Sequence, residues 1–217
     1  MKERIEGVLF DLDGTLADTL GDLAHATNRA LGQLGCPAHP VEAYRRMVGD
    51  GVKQLLARAL PRDKQDLVDQ AVRLMREHYD KHCFDLTRLY PGIPELVAAL
   101  RGRGLTLAVL SNKPDDFTRR MIDRYFVPSP FAIARGQRPG VPLKPDPTAA
   151  RNIAEELGIP PARWVYLGDT NTDMRTARGA GMDPVGVLWG FRDREELVES
   201  GAREIIEQPG ELLALLG

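Results

Sequence analysis

Two aspartates stand close together in Phe10-Asp11-Leu12-Asp13-Gly14-Thr15-Leu16-Ala17-Asp18, directly after the apolar run Val8 to Phe10. A carboxylate can attack phosphorus and carry it as an acyl phosphate, while a nearby carboxylic acid protonates the leaving oxygen and later activates water. Asp11 and Asp13 suit those two roles. Three more polar groups follow later apolar runs in the same manner: Ser111-Asn112, Lys144-Pro145-Asp146-Pro147, and Gly168-Asp169-Thr170-Asn171-Thr172-Asp173.

If these segments converge, Asp11, Asp13, Asp169 and Asp173 come together, and two unpaired like charges about 4 Å apart repel by roughly 4 kcal/mol at an effective dielectric of about 20. Such a cluster needs a cation. Oxygen ligands with open positions favour Mg²⁺ over zinc, for which no Cys/His set is present. Lys144, with the hydroxyl, amide and backbone donors of Thr15, Ser111 and Asn112, then forms a cradle for a transferring phosphoryl group. A calcium loop beginning at Asp11 fails, because Leu16 stands where its turn glycine is needed and Asp22 where its bidentate glutamate belongs.

Positioning such groups calls for strands that end at one edge. Short apolar runs at Val8 to Phe10, Leu105 to Leu110, Phe131 to Ala134, Trp164 to Leu167, Val185 to Leu188 and Glu204 to Ile206 read as buried strands. Amphipathic stretches separate them, such as Ile93, Leu96, Val97 and Leu100, or Ala150, Ile153, Ala154 and Leu157. Strand and helix in alternation predict an α/β fold with a doubly wound parallel sheet, whose ligand crevice lies at the carboxyl ends of the strands. Residues 18–89 break the alternation and read as helices only. The first has Asp18 as its expected N-cap and a stripe of Leu20, Leu23, Ala24, Thr27, Leu31 and Leu34, closing near Gly35. Further helices are expected around Ala43 to Val48, Val52 to Leu60 and Asp63 to Cys83. The domain reading is therefore a core of 1–17 with 90–217 and an inserted helical cap of 18–89.

The 217 residues can bury a sizeable core, and with 43% hydrophobic and 28% charged residues the chain has the balance of a globular protein. A formal net charge of -2 supplies no field to hold a nucleic acid or an anionic membrane. Cys36 and Cys83 are too few to frame a fold of this size, which implies a reducing setting. The N-terminal segment, Met1 to Gly7, precedes an apolar run far shorter than a signal-peptide core. We expect a cytoplasmic location and a monomer or small homo-oligomer.

The four motifs Asp11-Leu12-Asp13-Gly14-Thr15, Ser111-Asn112, Lys144-Pro145-Asp146 and Gly168-Asp169 with Asp173, in that order, resemble those of the haloacid dehalogenase-like hydrolase superfamily. The resemblance implies a Rossmann-like core and a phosphatase with Asp11 as nucleophile and metal ligand. It implies Asp13 as acid/base and as ligand through its carbonyl, Asp169 as the remaining protein ligand, and Lys144 as a catalytic cation, with Asp173 supporting the metal and Lys144. Residues 18–89 are similar to the cap of the helical-cap subgroup. Val48-Gly49-Asp50-Gly51 and the tail Gly186 to Arg192 with Glu195-Glu196-Leu197 resemble phosphoglycolate phosphatases, which implies a small phosphorylated metabolite such as 2-phosphoglycolate as substrate. A sugar-phosphate mutase would use the same aspartates, and a non-catalytic phosphate-sensing module would keep the same pocket. Arg45, Lys53 or Arg58, near the cap glycines, could meet a substrate carboxylate.

Other signals carry less. His78 and His82 share a helix face at zinc-binding spacing, yet His25 and His39 offer no obvious completing ligands. Gly102 and Gly104 precede a strand and do not link a strand to a helix, the wrong order for a dinucleotide loop.

Overall fold

The computed structural model describes residues 4–217; the opening residues 1–3 of the N-terminal segment weighed above lie outside the described residues. The main sheet has six parallel strands: β1 Gly7–Phe10, β4 Thr106–Pro114, β5 Ile133–Gln137, β6 Trp164–Gly168, β7 Asp183–Val187 and β8 Glu204–Ile206. Their spatial order is β5-β4-β1-β6-β7-β8, so the chain winds outward from β1 in both directions. That places β1, and Asp11 just past its end, between β4 and β6. All six expected strands form.

Burial on both faces explains their near-continuous apolar runs. Val8, Phe10, Leu107, Val109, Val165 and Leu167 point to one face, while Leu9, Ala108, Leu110, Trp164 and Tyr166 point to the other. The second face is covered by α6 Thr148–Glu156 and α7 Asn171–Ala180 through small residues such as Ala150, Ala154, Ala177 and Ala180. The first is covered by α4 Ile93–Gly102 and α5 Asp115–Tyr125. Short helices α8 Arg194–Glu199 and α9 Glu211–Leu215 close the C-terminal part. No helix among the described residues is long and apolar enough to cross a membrane.

The segment after β1 differs from expectation in three ways. The two-residue strands β2 Ala17–Asp18 and β3 Arg88–Leu89 pair antiparallel, so strand structure bounds the helical segment. Asp18 is therefore a strand residue, and the N-cap position of α1 Leu20–Gln33 is Thr19. The Asp18 carboxylate still accepts from the Leu20 N–H at 3.2 Å. The expected long helix from Asp63 is a 3₁₀ segment, Arg62–Leu67, with a non-helical Lys64, followed by α3 Val68–His82. Before them, α2 Val52–Ala59 follows a 3₁₀ turn at Val41–Arg46.

Buried Asp22 fastens this segment at its exit. Its carboxylate accepts from the N–H groups of Leu86 and Thr87 and from the Thr87 hydroxyl at 2.7 Å. The helices pack into the same apolar cluster as the first face of the sheet, through Leu12, Leu16 and Leu20.

Candidate active site

The turn after β1 is tight, with the Asp11 N–H donating to the Leu167 carbonyl and the Gly14 N–H returning to the Ala17 carbonyl, both at 2.9 Å. Gly14 sits at φ +90, where L side chains are strained, and a Cβ there would meet an Asp169 carboxylate oxygen at 2.2 Å. Gly190, in the loop after β7, packs equally close to Asp169 from another side. Side-chain-free backbone on two sides is what lets Asp169 approach the end of β1.

Asp11, Asp169 and Asp173 are all buried, and one carboxylate oxygen from each lies within 4.8 Å of the others. Asp169 accepts from the Phe191 N–H at 2.8 Å and from the Thr15 hydroxyl at 3.2 Å. Asp173 closes a capping box at the start of α7 with Thr170. Its other oxygen accepts from Lys144 Nζ at 2.6 Å and from the Tyr166 hydroxyl at 3.3 Å. Lys144 Nζ also lies 2.8 Å from Asp11 Oδ1, a charge contact without the alignment of a hydrogen bond.

One cation among three buried carboxylates leaves the cluster short of positive charge. Burial first, then the charge of Asp173, push the Asp11 carboxyl up to about 7 against the opposing pull of Lys144. Burial, followed by Asp173 and Asp11, also raises the Asp169 carboxyl well above its usual range. For Lys144, burial opposes the charge, but Asp11 and Asp173 prevail and hold the ammonium protonated. The donor set is all oxygen, Asp11 Oδ1 accepts no hydrogen bond from the described residues, and Asp11 and Asp169 are buried with too little counter-charge; a hard divalent cation fits here.

Asp13 stands apart from this trio. Its carboxylate takes two hydrogen bonds, at 2.9 and 3.1 Å, from Lys113, a residue the sequence reading passed over. The Lys113 side chain is 3% exposed, with its ammonium 4.8 Å from the ring centre of Tyr79 in α3. A charged residue at a strand end reads as solvated; only the helix packed above it shows otherwise. The clustered carboxylates are thus Asp11, Asp169 and Asp173, and the Asp13 carboxylate is held outside the trio by Lys113.

The expected phosphoryl cradle is partly redirected. Thr15 gives its hydroxyl to Asp169. Ser111 is buried and its Oγ accepts from the Lys113 N–H at 3.2 Å, which leaves its hydroxyl hydrogen for another acceptor. Asn112 commits its side chain to the protein itself.

A cavity of about 90 Å³ opens on Asp11, Asp13, Ser111 and Lys113. Its upper wall is mostly apolar, including Leu23, Val52, Leu55, Val72 and Met75, with Arg76 as the helical segment's cation. The three basic residues expected here do not line it. Arg45 donates to the Gly190 carbonyl at 2.7 Å and pairs with Glu42. Lys53 pairs with Asp69 on the surface at 2.8 Å. Arg58 bonds Asp50 and the Met47 carbonyl, bracing the glycine loop from outside. Helical periodicity locates a polar face but not what lies opposite it. Arg76 sits on the exposed face of α3, with its guanidinium 5.0 Å from the Phe117 ring centre and 2.5 Å from Asp116. As for the discounted histidines, His78 and His82 stack at 4.3 Å and His82 pairs with Asp85.

Comparison with known proteins agrees with this geometry. The family model described as haloacid dehalogenase-like hydrolase matches residues 8–187. A phosphoglycolate phosphatase of Pseudomonas putida is 36% identical over 191 residues, covering 85% of this chain and 70% of the relative. One from Neisseria meningitidis is 33% identical, covering 92% and 87%. A crystal structure from Lactobacillus delbrueckii subsp. bulgaricus, provisionally named as a phosphoglycolate phosphatase, superposes with a TM-score of 0.90 at 30% identity over 98% of both chains. CbbY from Rhodobacter sphaeroides, solved in complex with phosphate, gives 0.80 at 27% identity over 96% of each. The match over most of the chain and the identity to full-length relatives establish that this chain belongs to the haloacid dehalogenase-like hydrolase family.

Proposed function

We propose that this chain is a phosphatase that hydrolyses a small phosphomonoester, best matched by 2-phosphoglycolate, through a phosphorylated Asp11. The observation that carries the reading is a buried carboxylate at a parallel strand end, short of counter-charge, at the floor of a cavity shared with a second carboxyl group on Asp13. The names of the Pseudomonas and Neisseria relatives support the substrate choice.

Hydrolysis proceeds by two displacements at phosphorus. An Asp11 oxygen bonds to phosphorus as the ester P–O bond breaks, and the departing alkoxide takes a proton from Asp13. A water then loses a proton to Asp13 and attacks phosphorus, and Asp11 leaves as carboxylate with inorganic phosphate released. Lys144 offsets charge at Asp11, and the Ser111 hydroxyl is placed to donate to a phosphoryl oxygen. Asp11, Asp169 and the Asp13 carbonyl would hold Mg²⁺, with Asp173 in support; when bound, it supplies the missing positive charge and binds phosphate oxygens. Residues 18–89 act as the cap over this site in our reading. The protein works in the cytoplasm as a monomer or small homo-oligomer, with no nucleic-acid or membrane partner.

Mg²⁺ should bind the folded chain and not the unfolded one, so saturating it a hundredfold above its Kd adds about 2.7 kcal/mol of stability. Thermal unfolding with Mg²⁺ and with chelator reads this directly. Asp169→Asn should erase most of the difference, and an equal midpoint with and without Mg²⁺ in the unmutated chain would count against the metal.

With Arg45, Lys53 and Arg58 turned away, we assign Arg76 to the substrate carboxylate. Losing a charge-assisted hydrogen bond of about 1.5–3 kcal/mol should shrink the preference for 2-phosphoglycolate over ethyl phosphate by about 10- to 100-fold in Arg76→Met. An unchanged preference would remove Arg76 from the assignment. The reading as a whole is tested by phosphate release from a panel of phosphorylated metabolites with Mg²⁺. Isomerised product without net phosphate would instead indicate a mutase, and no turnover at all a binding module.

A further inference from the structure

Three hydrogen bonds converge on one buried side-chain amide. Asn112 Nδ2 donates to the Gly49 carbonyl at 2.9 Å and to the Lys144 carbonyl at 3.0 Å. Its Oδ1 accepts from the Lys144 backbone N–H at 2.9 Å. A primary amide has two N–H donors, and here one is spent on the cap and the other on the core. None is left for a phosphoryl oxygen. The side chain expected to bind phosphate instead joins the 45–51 loop to the backbone of the lysine whose ammonium lies between Asp11 and Asp173.

Other contacts seat the same loop without touching Lys144. Thr172 Oγ1 donates to Asp50 Oδ1 at 3.0 Å. Arg192 donates to the carbonyls of Arg45 and Val48, the latter at 2.9 Å, and Arg45 donates back to the Gly190 carbonyl. These latches come from the first turn of α7 and the loop after β7, whereas Asn112 belongs to the end of β4. Among the loop's hydrogen bonds named here, only that from Asn112 continues to a residue paired with Asp11.

We propose that Asn112 is a positioning residue that couples the seating of the 45–51 loop to the placement of Lys144 beside Asp11. The proposal rests on the phosphatase reading for its kinetic consequence and on the hydrogen bonds alone for the coupling. With the loop seated, the Gly49 carbonyl fixes the plane of the amide, and the remaining donor and acceptor clamp both sides of the Lys144 residue. With Gly49 withdrawn, the amide is free to rotate and the clamp loosens, because bonds within one network support each other. The cation contact of the nucleophile is then completed only under a closed cap, which spares the site from reacting half-assembled.

The test compares Thr172→Val with Asn112→Ala in the full chain loaded with Mg²⁺, following amide hydrogen exchange at 45–51 and at Lys144 together with kinetics on 2-phosphoglycolate. Thr172→Val loosens the loop while leaving Asn112 and Lys144 intact, so faster exchange at 45–51 should be accompanied by faster exchange of the Lys144 amide. Asn112→Ala should raise exchange at both places and lower kcat by about 10- to 100-fold. Its inhibition constant for inorganic phosphate should move by no more than about threefold. Loop exchange that rises in Thr172→Val with Lys144 protection unchanged would overturn the coupling. So would an Asn112→Ala enzyme that keeps kcat while its KM and its inhibition constant for phosphate rise together, the behaviour of a direct phosphate ligand. If the unmutated chain turns over no phosphate ester, the functional reading fails, and the exchange comparison still decides for or against the coupling.

Discussion

Asp11→Asn should lower phosphate release by about three orders of magnitude or more, because it removes the atom that bonds to phosphorus and not merely a contact to it. The same change should stabilise the metal-free protein. In the folded chain the Asp11 carboxyl is pushed up to about 7, mainly by burial, against an ordinary 3.8. Between those values the folded state holds a proton that the unfolded state has already lost, so stability falls as pH rises from about 4 to about 7. Below that window this group costs nothing, and above it the full cost of a buried charge is present. Asparagine carries no such charge, so the metal-free variant should gain about 1–4 kcal/mol near pH 8 and little near pH 4. Denaturation of both proteins in chelator at the two pH values checks the sign. A variant equally destabilised at both would mean that Asp11 is not strained by its surroundings.

Lys144→Met should have the largest effect on stability. The side chain is 2% exposed and contacts Asp11 and Asp173 at 2.8 and 2.6 Å, with Tyr166 beneath it at 5.7 Å from the ring centre. Methionine fills a similar volume but leaves buried carboxylates without their cation, a change that costs about 3–5 kcal/mol. Because Asp11 and Asp173 hold the folded-state ammonium well above its usual range, the contribution is present in full at neutral pH and is lost only as pH climbs past the ordinary lysine value. The loss should therefore be measurable at pH 7 by urea unfolding. Lys144→Met, Asp173→Asn should recover part of it by removing one of the stranded charges. If the double variant is less stable than the single one, the pairing contributes through something other than charge.

How far the sequence carried depended on whether a feature is local or opposed across space. Parallel strands buried on both faces have to be apolar throughout, so β1, β4 and β6 announced themselves, and the polar groups at their ends came with them. The pair β2 and β3 is too short for any alternation to show, and Asp18 consequently read as a cap. Lys113 follows Asn112 in the chain and looks solvated until α3 lays Tyr79 over it. Arg45, Lys53 and Arg58 were chosen for being near the cap glycines, but proximity in sequence did not say which way they turn. Arg76, next to Met75 and one turn before Tyr79 in α3, lines the cavity instead. Asn112 lies at the expected strand end, but its side-chain amide is spent on Gly49 and Lys144, because an amide's two donors are claimed by whichever carbonyls the fold brings near.

The central claim is that Asp11 itself becomes phosphorylated during turnover. Rapid quenching of the Mg²⁺-loaded enzyme with excess 2-phosphoglycolate, followed by borohydride reduction, converts an acyl phosphate to homoserine, and peptide mass spectrometry then locates it. The account predicts homoserine at position 11, formed only when substrate and Mg²⁺ are both present and absent from Asp11→Asn. Steady phosphate release with residue 11 unmodified, or homoserine at position 13 or 169 in its place, would contradict it.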